Sequence, residues 1–179
     1  ASEFRYSEPI LGESSLVIII SQSGETLDSM AALREAKRRG SKVLSIVNVM
    51  GSSIARESDY VLYTWAGPEI SVATTKAYTT QMVLLLMFGV YLAKQLDRME
   101  QEEYMAVTRG LQELPEKISI VLSDIDHYQK AASRYFNHNS VFYIGRNLDY
   151  ALGLEGSLKL KEISYIHSES YAAGELKHG

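Results

Sequence analysis

The sequence predicts an α/β protein of two subdomains, each a parallel sheet flanked by helices in three α/β/α layers and each incomplete within these residues. Three observations carry that expectation. Leu16–Ile20, Val43–Val47 and Ser140–Ile144 are apolar runs without alternation, as strands buried on both faces of a parallel sheet require. Helical patterns alternate with these strands at the spacing of β-α-β units. The strand-turn-helix unit that opens at Leu16 recurs about 120 residues later, which suggests two related halves.

Taken in order, Leu16–Ile20 is broken by Ser21–Thr26 (SQSGET). Leu27, Met30, Ala31, Arg34 and Arg38 then follow at helical spacing until Gly40 stops the helix. Val43–Val47 is a second strand, Met50–Ser53 a loop, Ile54–Glu57 a short helix and Tyr60–Tyr63 a third strand. Gly67 and Pro68 mark an irregular loop before a long helix, Thr75–Lys94, apolar on most of its surface and therefore expected to be buried on several sides. The charged segment Asp97–Glu103 (DRMEQEE) marks a boundary between 1–97 and 98–179. Helices are expected at Tyr104–Leu114, at Glu116–Asp124 with Pro115 in its first turn, and at Ile125–Phe136. Ser140–Ile144 is a further buried strand, and Gly145-Arg146-Asn147 leads into a helix from about Tyr150 to Tyr165.

Composition narrows the function classes. With 46% hydrophobic and 22% charged residues the chain is an ordinary globular protein, and its net charge of -4 leaves no basic excess for nucleic acid or an anionic membrane. The most apolar stretch, Met82–Ala93, falls short of the roughly 20 residues that cross a bilayer. No Cys is present, so disulfides, thiolate metal sites and a cysteine nucleophile are excluded from these residues. No signal peptide precedes the first strand, and a cytoplasmic location is expected. A chain that opens on Ala1 and stops after a strongly patterned segment is expected to be a piece of something longer.

Two groups of residues and one histidine could carry chemistry. Ser21-Gln22-Ser23-Gly24-Glu25-Thr26 sets three hydroxyls and an amide at the carboxyl end of a strand and the start of a helix, where open α/β sheets bind ligands. Backbone N–H groups, the positive helix end and the hydroxyls of Ser21, Ser23 and Thr26 suit a phosphate, so a sugar phosphate fits. The plainer alternative makes Ser23 an N-cap and Thr26 a first-turn residue. Glu155, Lys159 and Glu162 fall at i, i+4 and i+7 on one helix face and could move a proton; the plainer alternative is a solvated salt-bridge pair. His178, in the glycine-flanked GELKHG, is an acid or base candidate or a lone surface histidine. His127, His138 and His167 show no metal-ligand spacing, and neither metal nor cofactor is expected.

The strings ASEFRY, SQSGET, NVMGSSIARESD, VATTKAYTTQ and above all LEGSLKLKEISYIHSESYAAGELKHG resemble the isomerase half of the glutamine–fructose-6-phosphate aminotransferase family over nearly the whole chain. SxSGxT alone would indicate only the broader sugar isomerase (SIS) fold. The resemblance implies two SIS-type subdomains, the first lacking its N-terminal strand and the second its C-terminal part. It implies that Ser21, Gln22, Ser23 and Thr26 hold the substrate phosphate and that Val72 and Thr74 line the sugar site, Thr74 standing where relatives commonly carry Ser. Glu162 matches the base that moves a proton between C1 and C2, with Glu155 and Lys159 beside it, and His178 matches the histidine that assists ring opening at a neighbouring subunit's site. A homodimer follows from that last match. The parent enzyme would convert fructose 6-phosphate and glutamine to glucosamine 6-phosphate and glutamate, the entry reaction of amino-sugar synthesis. Its glutaminase domain, with an N-terminal cysteine, and the tail bearing an imine-forming lysine lie outside these residues, so the piece alone is expected to be inactive.

Two competing functions are weighed against this. A regulatory module of the same fold that binds a phosphosugar without turning it over would keep SQSGET but have no need of Glu155, Lys159, Glu162 and His178 together. A dinucleotide enzyme would need GxGxxG after the first strand, where SQSGET stands instead.

Overall fold

The computed structural model describes residues 1–178. The chain forms two compact units, Ala1–Leu111 and Gln112–Gly179. In the first, strands β1 (Leu16–Ser21), β2 (Lys42–Val47) and β3 (Tyr60–Tyr63) make a parallel sheet in the order β1-β2-β3. Ser21 aligns with Val47, and Val47 with Tyr63, so the carboxyl ends of all three strands lie level.

Helix α1 (Leu27–Arg38) crosses from β1 to β2 and buries Met30, Leu33 and Ala36 against Ile19, Val43 and Val47; Ile54 of the short helix α2 (Ser53–Glu57) joins the same core. Its C-terminus closes with the Gly40 N–H on the Lys37 carbonyl at 3.0 Å and the Ser41 N–H on the Ala36 carbonyl at 3.1 Å, a Schellman turn. Arg34 grips the Glu57 carboxylate with two hydrogen bonds of 2.8 and 2.6 Å, tying α1 to α2. Asp59 accepts the Val43 N–H at 2.9 Å and pairs with Lys42 at 3.1 Å, which anchors the connection into β3 on the start of β2.

Burial on both faces holds for β2, where Val43 to Val47 are all buried, but not for β1. β1 lies at the sheet edge, and Leu16, Ile18 and Ile20 are exposed because the face they occupy is uncovered in this unit. Helix α3 (Lys76–Gln95) departs from expectation in the same way. Only Ala77 and Val90 are buried, while Met82, Leu86, Met87, Tyr91 and Leu92 face outward. An all-round apolar sequence states that a helix calls for cover; it does not state what supplies it. At 20 residues α3 is also longer than its apolar centre, and among the described residues it is the one helix long and apolar enough to cross a membrane by length and composition.

Helix α4 (Gln101–Ser123) runs unbroken where two helices were expected, with Pro115 inside it. An interior proline deletes one backbone hydrogen bond at a cost of about 3 kcal/mol, and a long helix retains the rest of its ladder. On its C-terminal side the Ser119 hydroxyl donates to the Pro115 carbonyl at 2.9 Å.

The second unit contains α5 (Ile125–Tyr135), β4 (Ser140–Gly145), α6 (Leu148–Ser164) and β5 (His167–Ala172). β4 and β5 pair in parallel, Ser140 opposite His167 and Gly145 opposite Ala172, with α6 as the crossover. β5 (HSESYA) is a strand the sequence reading missed, because its polar residues mask a β pattern. Phe142 and Ile144 of β4 are exposed, so this strand too is covered on one face only. α6 approaches the two strands closely through Gly153, Gly156 and Ser157. A Cβ at Gly156 would lie 2.9 Å from the Tyr143 ring, and the buried Ser168 hydroxyl donates to Ser157 at 3.0 Å.

The packing yields a contrast to measure by thermal denaturation of the purified protein. Leu33 is 0% and Leu27 80% exposed on the same helix. Leu33→Ala is expected to cost about 2–5 kcal/mol and lower Tm clearly, whereas Leu27→Ala is expected to stay within about 0.5 kcal/mol of the parent. Equal effects would contradict the placement of α1's buried face.

Candidate active site

The Ser21–Thr26 turn closes on itself through its hydroxyls. Ser21, at the end of β1, is buried; its Oγ lies 3.0 Å from Thr26 Oγ1 and accepts the Gly24 N–H at 3.1 Å. Ser23 Oγ accepts the Glu25 N–H at 3.2 Å. The capping reading is thereby corrected: Thr26, not Ser23, occupies the N-cap position of α1, its carbonyl accepts the Met30 N–H at 2.9 Å, and its hydroxyl caps no helix N–H. The turn therefore sets hydroxyls at a helix N-terminus whose first N–H groups carry no side-chain cap, an arrangement suited to an anion.

Gly24 is required here for two physical reasons. Its φ of +68° lies in the left-handed region, and a Cβ would stand 2.0 Å from Ser52 Oγ and 2.5 Å from Ser52 Cβ. Ser52, buried beneath it, has a hydroxyl with no hydrogen-bond partner. The Ile54 N–H donates to the Gly24 carbonyl at 3.0 Å, and the Glu25 carboxylate accepts the Ser53 N–H at 2.7 Å. That bond, with attraction from Arg56, holds the Glu25 carboxyl below its usual range.

Beside the turn lies a cleft of about 450 Å³ whose lining includes Gln22, Asn48, Trp65, Gly67 and Glu69. Asn48 organises it. Its N–H donates to the Gln22 carbonyl at 3.1 Å, its Nδ2 donates to the Gly67 carbonyl at 2.7 Å, and its Oδ1 accepts from Thr64 Oγ1 at 3.1 Å and from the Ala66 N–H at 2.9 Å. Sequence reasoning overlooked Asn48, although an amide directly after a buried parallel strand was a usable signal. Val72 is 99% exposed and Thr74 half-buried; neither lines this cleft.

In the second unit Glu155, Lys159 and Glu162 occupy one face of α6 and touch in sequence. Lys159 Nζ lies 2.5 Å from Glu162 Oε2 and 3.6 Å from Glu155 Oε1. The Glu162 hydrogen bond, against a smaller opposing effect of burial, raises the Lys159 pKa, so its ammonium stays charged through the neutral range. The three side chains are only partly exposed. His178 ends a short 3-10 turn, Leu176–His178, and is exposed; among the described residues no hydrogen bond or ion pair links it to the α6 acids. No three His, Cys, Asp or Glu among the described residues gather to hold a metal ion.

Parallel α/β units with a hydroxyl-rich turn after the first strand define a class. The SIS domain matches residues 1–91 and 134–179, and the chain belongs to the SIS domain family. Over its full length it is 58% identical to the glutamine–fructose-6-phosphate aminotransferase (isomerizing) of Caldanaerobacter subterraneus subsp. tengcongensis and 56% identical to that of Symbiobacterium thermophilum. It spans 29% of the length of each of these curated relatives. The solved C-terminal domain of glucosamine-fructose-6-phosphate aminotransferase from Francisella tularensis is 40% identical and superposes with a TM-score of 0.95, over 99% of this chain and 51% of that one.

The close approach of Gly24 and Ser52 is testable by mutation. Gly24→Ala is expected to destabilise by at least the roughly 1–2 kcal/mol of a left-handed non-glycine residue, plus the clash with Ser52. Adding Ser52→Gly should recover the clash component and leave the backbone component. Full additivity of the two substitutions in a denaturation cycle would show that the residues do not meet.

Proposed function

We propose that this chain is the isomerase portion of an enzyme that makes glucosamine 6-phosphate and glutamate from fructose 6-phosphate and glutamine. The observation that carries the proposal is the Ser21–Thr26 turn, where the Ser21 and Thr26 hydroxyls meet at 3.0 Å at the uncapped N-terminus of α1 and the Ser23 hydroxyl lies on the same turn. A phosphate monoester placed there gains charge-assisted hydrogen bonds and the favourable end of the helix dipole. Relatives at 56–58% identity carry the aminotransferase name, which supports this substrate over other phosphosugars.

In this reading Gln22 joins the three hydroxyls in holding the phosphate, while Val72 and Thr74 contact the sugar chain. Glu162 takes a proton from one of C1 and C2 of the aminated open-chain sugar and returns it to the other. Lys159, held charged by Glu162 and near Glu155, keeps a positive charge beside that carboxylate while the proton moves. His178 assists ring opening in a neighbouring subunit, which entails a homodimer. A glutaminase domain elsewhere in the parent chain supplies ammonia, and the whole works in the cytoplasm with no cofactor.

Two substitutions in the full-length parent enzyme test these roles separately. Ser23→Ala combined with Thr26→Ala is expected to remove roughly 1.5–3 kcal/mol per hydrogen bond to the phosphate, read by calorimetry with fructose 6-phosphate. Wild-type affinity in that double variant would refute the cradle. Glu162→Gln is expected to cut glucosamine 6-phosphate synthesis about 10²- to 10⁴-fold with binding nearly intact, as removal of a positioned general base does. A loss under about threefold returns Glu162 to a surface ion pair, worth only about 0–1 kcal/mol.

A further inference from the structure

The geometry points to Glu25 as a positioning residue: its carboxylate, clamped on the Ser53 N–H at the start of α2, holds the Ser21–Thr26 turn in the form that receives a phosphate monoester. The inference deepens the phosphosugar reading and rests on it. A carboxylate inside an anion-binding turn is at first sight misplaced, since two negative groups a few ångströms apart repel. Its position removes the conflict. Glu25 Oε1 accepts the Ser53 N–H at 2.7 Å across 28 residues of sequence, so its charge is spent on another segment's backbone. Arg56, one turn further along α2, adds attraction from the same side.

The neighbouring contacts show what the clamp secures. Ser52, Ser53 and Ile54 are consecutive, and each engages the turn: Ser52 fills the space against Gly24, the Ser53 N–H meets the Glu25 carboxylate, and the Ile54 N–H meets the Gly24 carbonyl. The Ile54 bond and the Ser52 packing involve the Gly24 backbone, so they fix one point of the turn. Glu25 supplies a second point, adjacent to Thr26 and the start of α1. With two points held, the Ser23 and Thr26 hydroxyls keep their orientation when no ligand is present, and binding loses less conformational freedom. Glu25 itself makes no contact with the phosphate in this scheme.

The experiment uses the full-length parent chain with fructose 6-phosphate as probe, measuring Kd by calorimetry, KM and kcat by steady-state synthesis, and Tm. Glu25→Ala is expected to raise Kd and KM about tenfold while kcat moves less than about twofold, because a phosphate grip acts equally on ground and transition states. Glu25→Gln should restore most of the affinity, since its amide oxygen still accepts the Ser53 N–H. Ser53→Pro deletes the donor at the first helical position, where proline fits, and the preceding Ser52 already has an extended backbone, φ -61° and ψ 161°. It should reproduce the Glu25→Ala rise in KM, and the two together should be no worse than either.

A purely structural role would lower Tm without moving KM, and that result overturns the inference. So does an unchanged or lowered KM in Glu25→Ala, a Glu25→Gln variant as weak as Glu25→Ala, or a wild-type KM in Ser53→Pro. Should Glu25→Ala fail to fold, Glu25→Gln and Ser53→Pro decide. Failure of the parent chain to bind fructose 6-phosphate overturns the phosphosugar reading and this inference with it. Parent binding that Ser23→Ala with Thr26→Ala abolishes, but Glu25→Ala leaves intact, overturns this inference alone.

Discussion

The burial of β2 between two parallel partners is the constraint on which the first unit depends. Val43 to Val47 have no solvent-facing side, so their backbone groups must find partners within the protein, and both faces must be covered. α1 supplies one cover through Leu33 and Ala36, and the pairing of Ser21 with Val47 and of Val47 with Tyr63 leaves the strand ends level. That level edge is what sets the Asn48 N–H against the Gln22 carbonyl and the segment 52–54 against Gly24 and Glu25. The turn that collects three hydroxyls is thus a by-product of strand register.

Electrostatics reinforces the opposite end, where β2 begins and α1 finishes. Asp59 is held below its usual range chiefly by the Val43 N–H, with Lys42 adding to it, and Glu35 is brought down to about 2 by hydrogen bonds from Arg38 and Arg39. A carboxyl whose pKa is depressed on folding contributes stability above its unfolded value, and that contribution is lost as pH falls through the folded one. These acids stabilise the unit at neutral pH, and their contribution fades on acidification below the ordinary carboxylate range. The Glu35 and Asp59 side chains keep 15% and 19% of their surface exposed and their Arg38 and Lys42 partners face solvent, so each contribution is modest.

In the second unit the corresponding constraint is steric. Gly153, Gly156 and Ser157 bring α6 close onto β4 and β5, and this fixes which face of the helix is left for Glu155, Lys159 and Glu162. A Cβ at 156 would stand 2.9 Å from the Tyr143 ring, so either the ring or the helix would have to shift.

Helical spacing alone placed Glu155, Lys159 and Glu162 together, because 3.6 residues per turn leaves i, i+4 and i+7 on one face whatever the helix packs against. The strand-turn-helix at Leu16 to Arg38 and the hydroxyl-rich SQSGET turn were legible for the same reason: they are local, and local geometry follows from residue type. Tertiary structure decided the rest. Thr26 rather than Ser23 takes the cap position, Pro115 sits inside one helix, HSESYA is a strand, and Ile18, Ile20, Phe142 and Ile144 stay exposed because strand burial depends on which elements arrive from elsewhere. Asn48 on Gln22, Ser52 beneath Gly24 and Ser53 on Glu25 join residues more than 20 positions apart, and no periodicity encodes such pairs. A sequence specifies what each residue can do within a turn of its neighbours; only the packing of β2 between its partners determines which distant backbone comes close enough to be held.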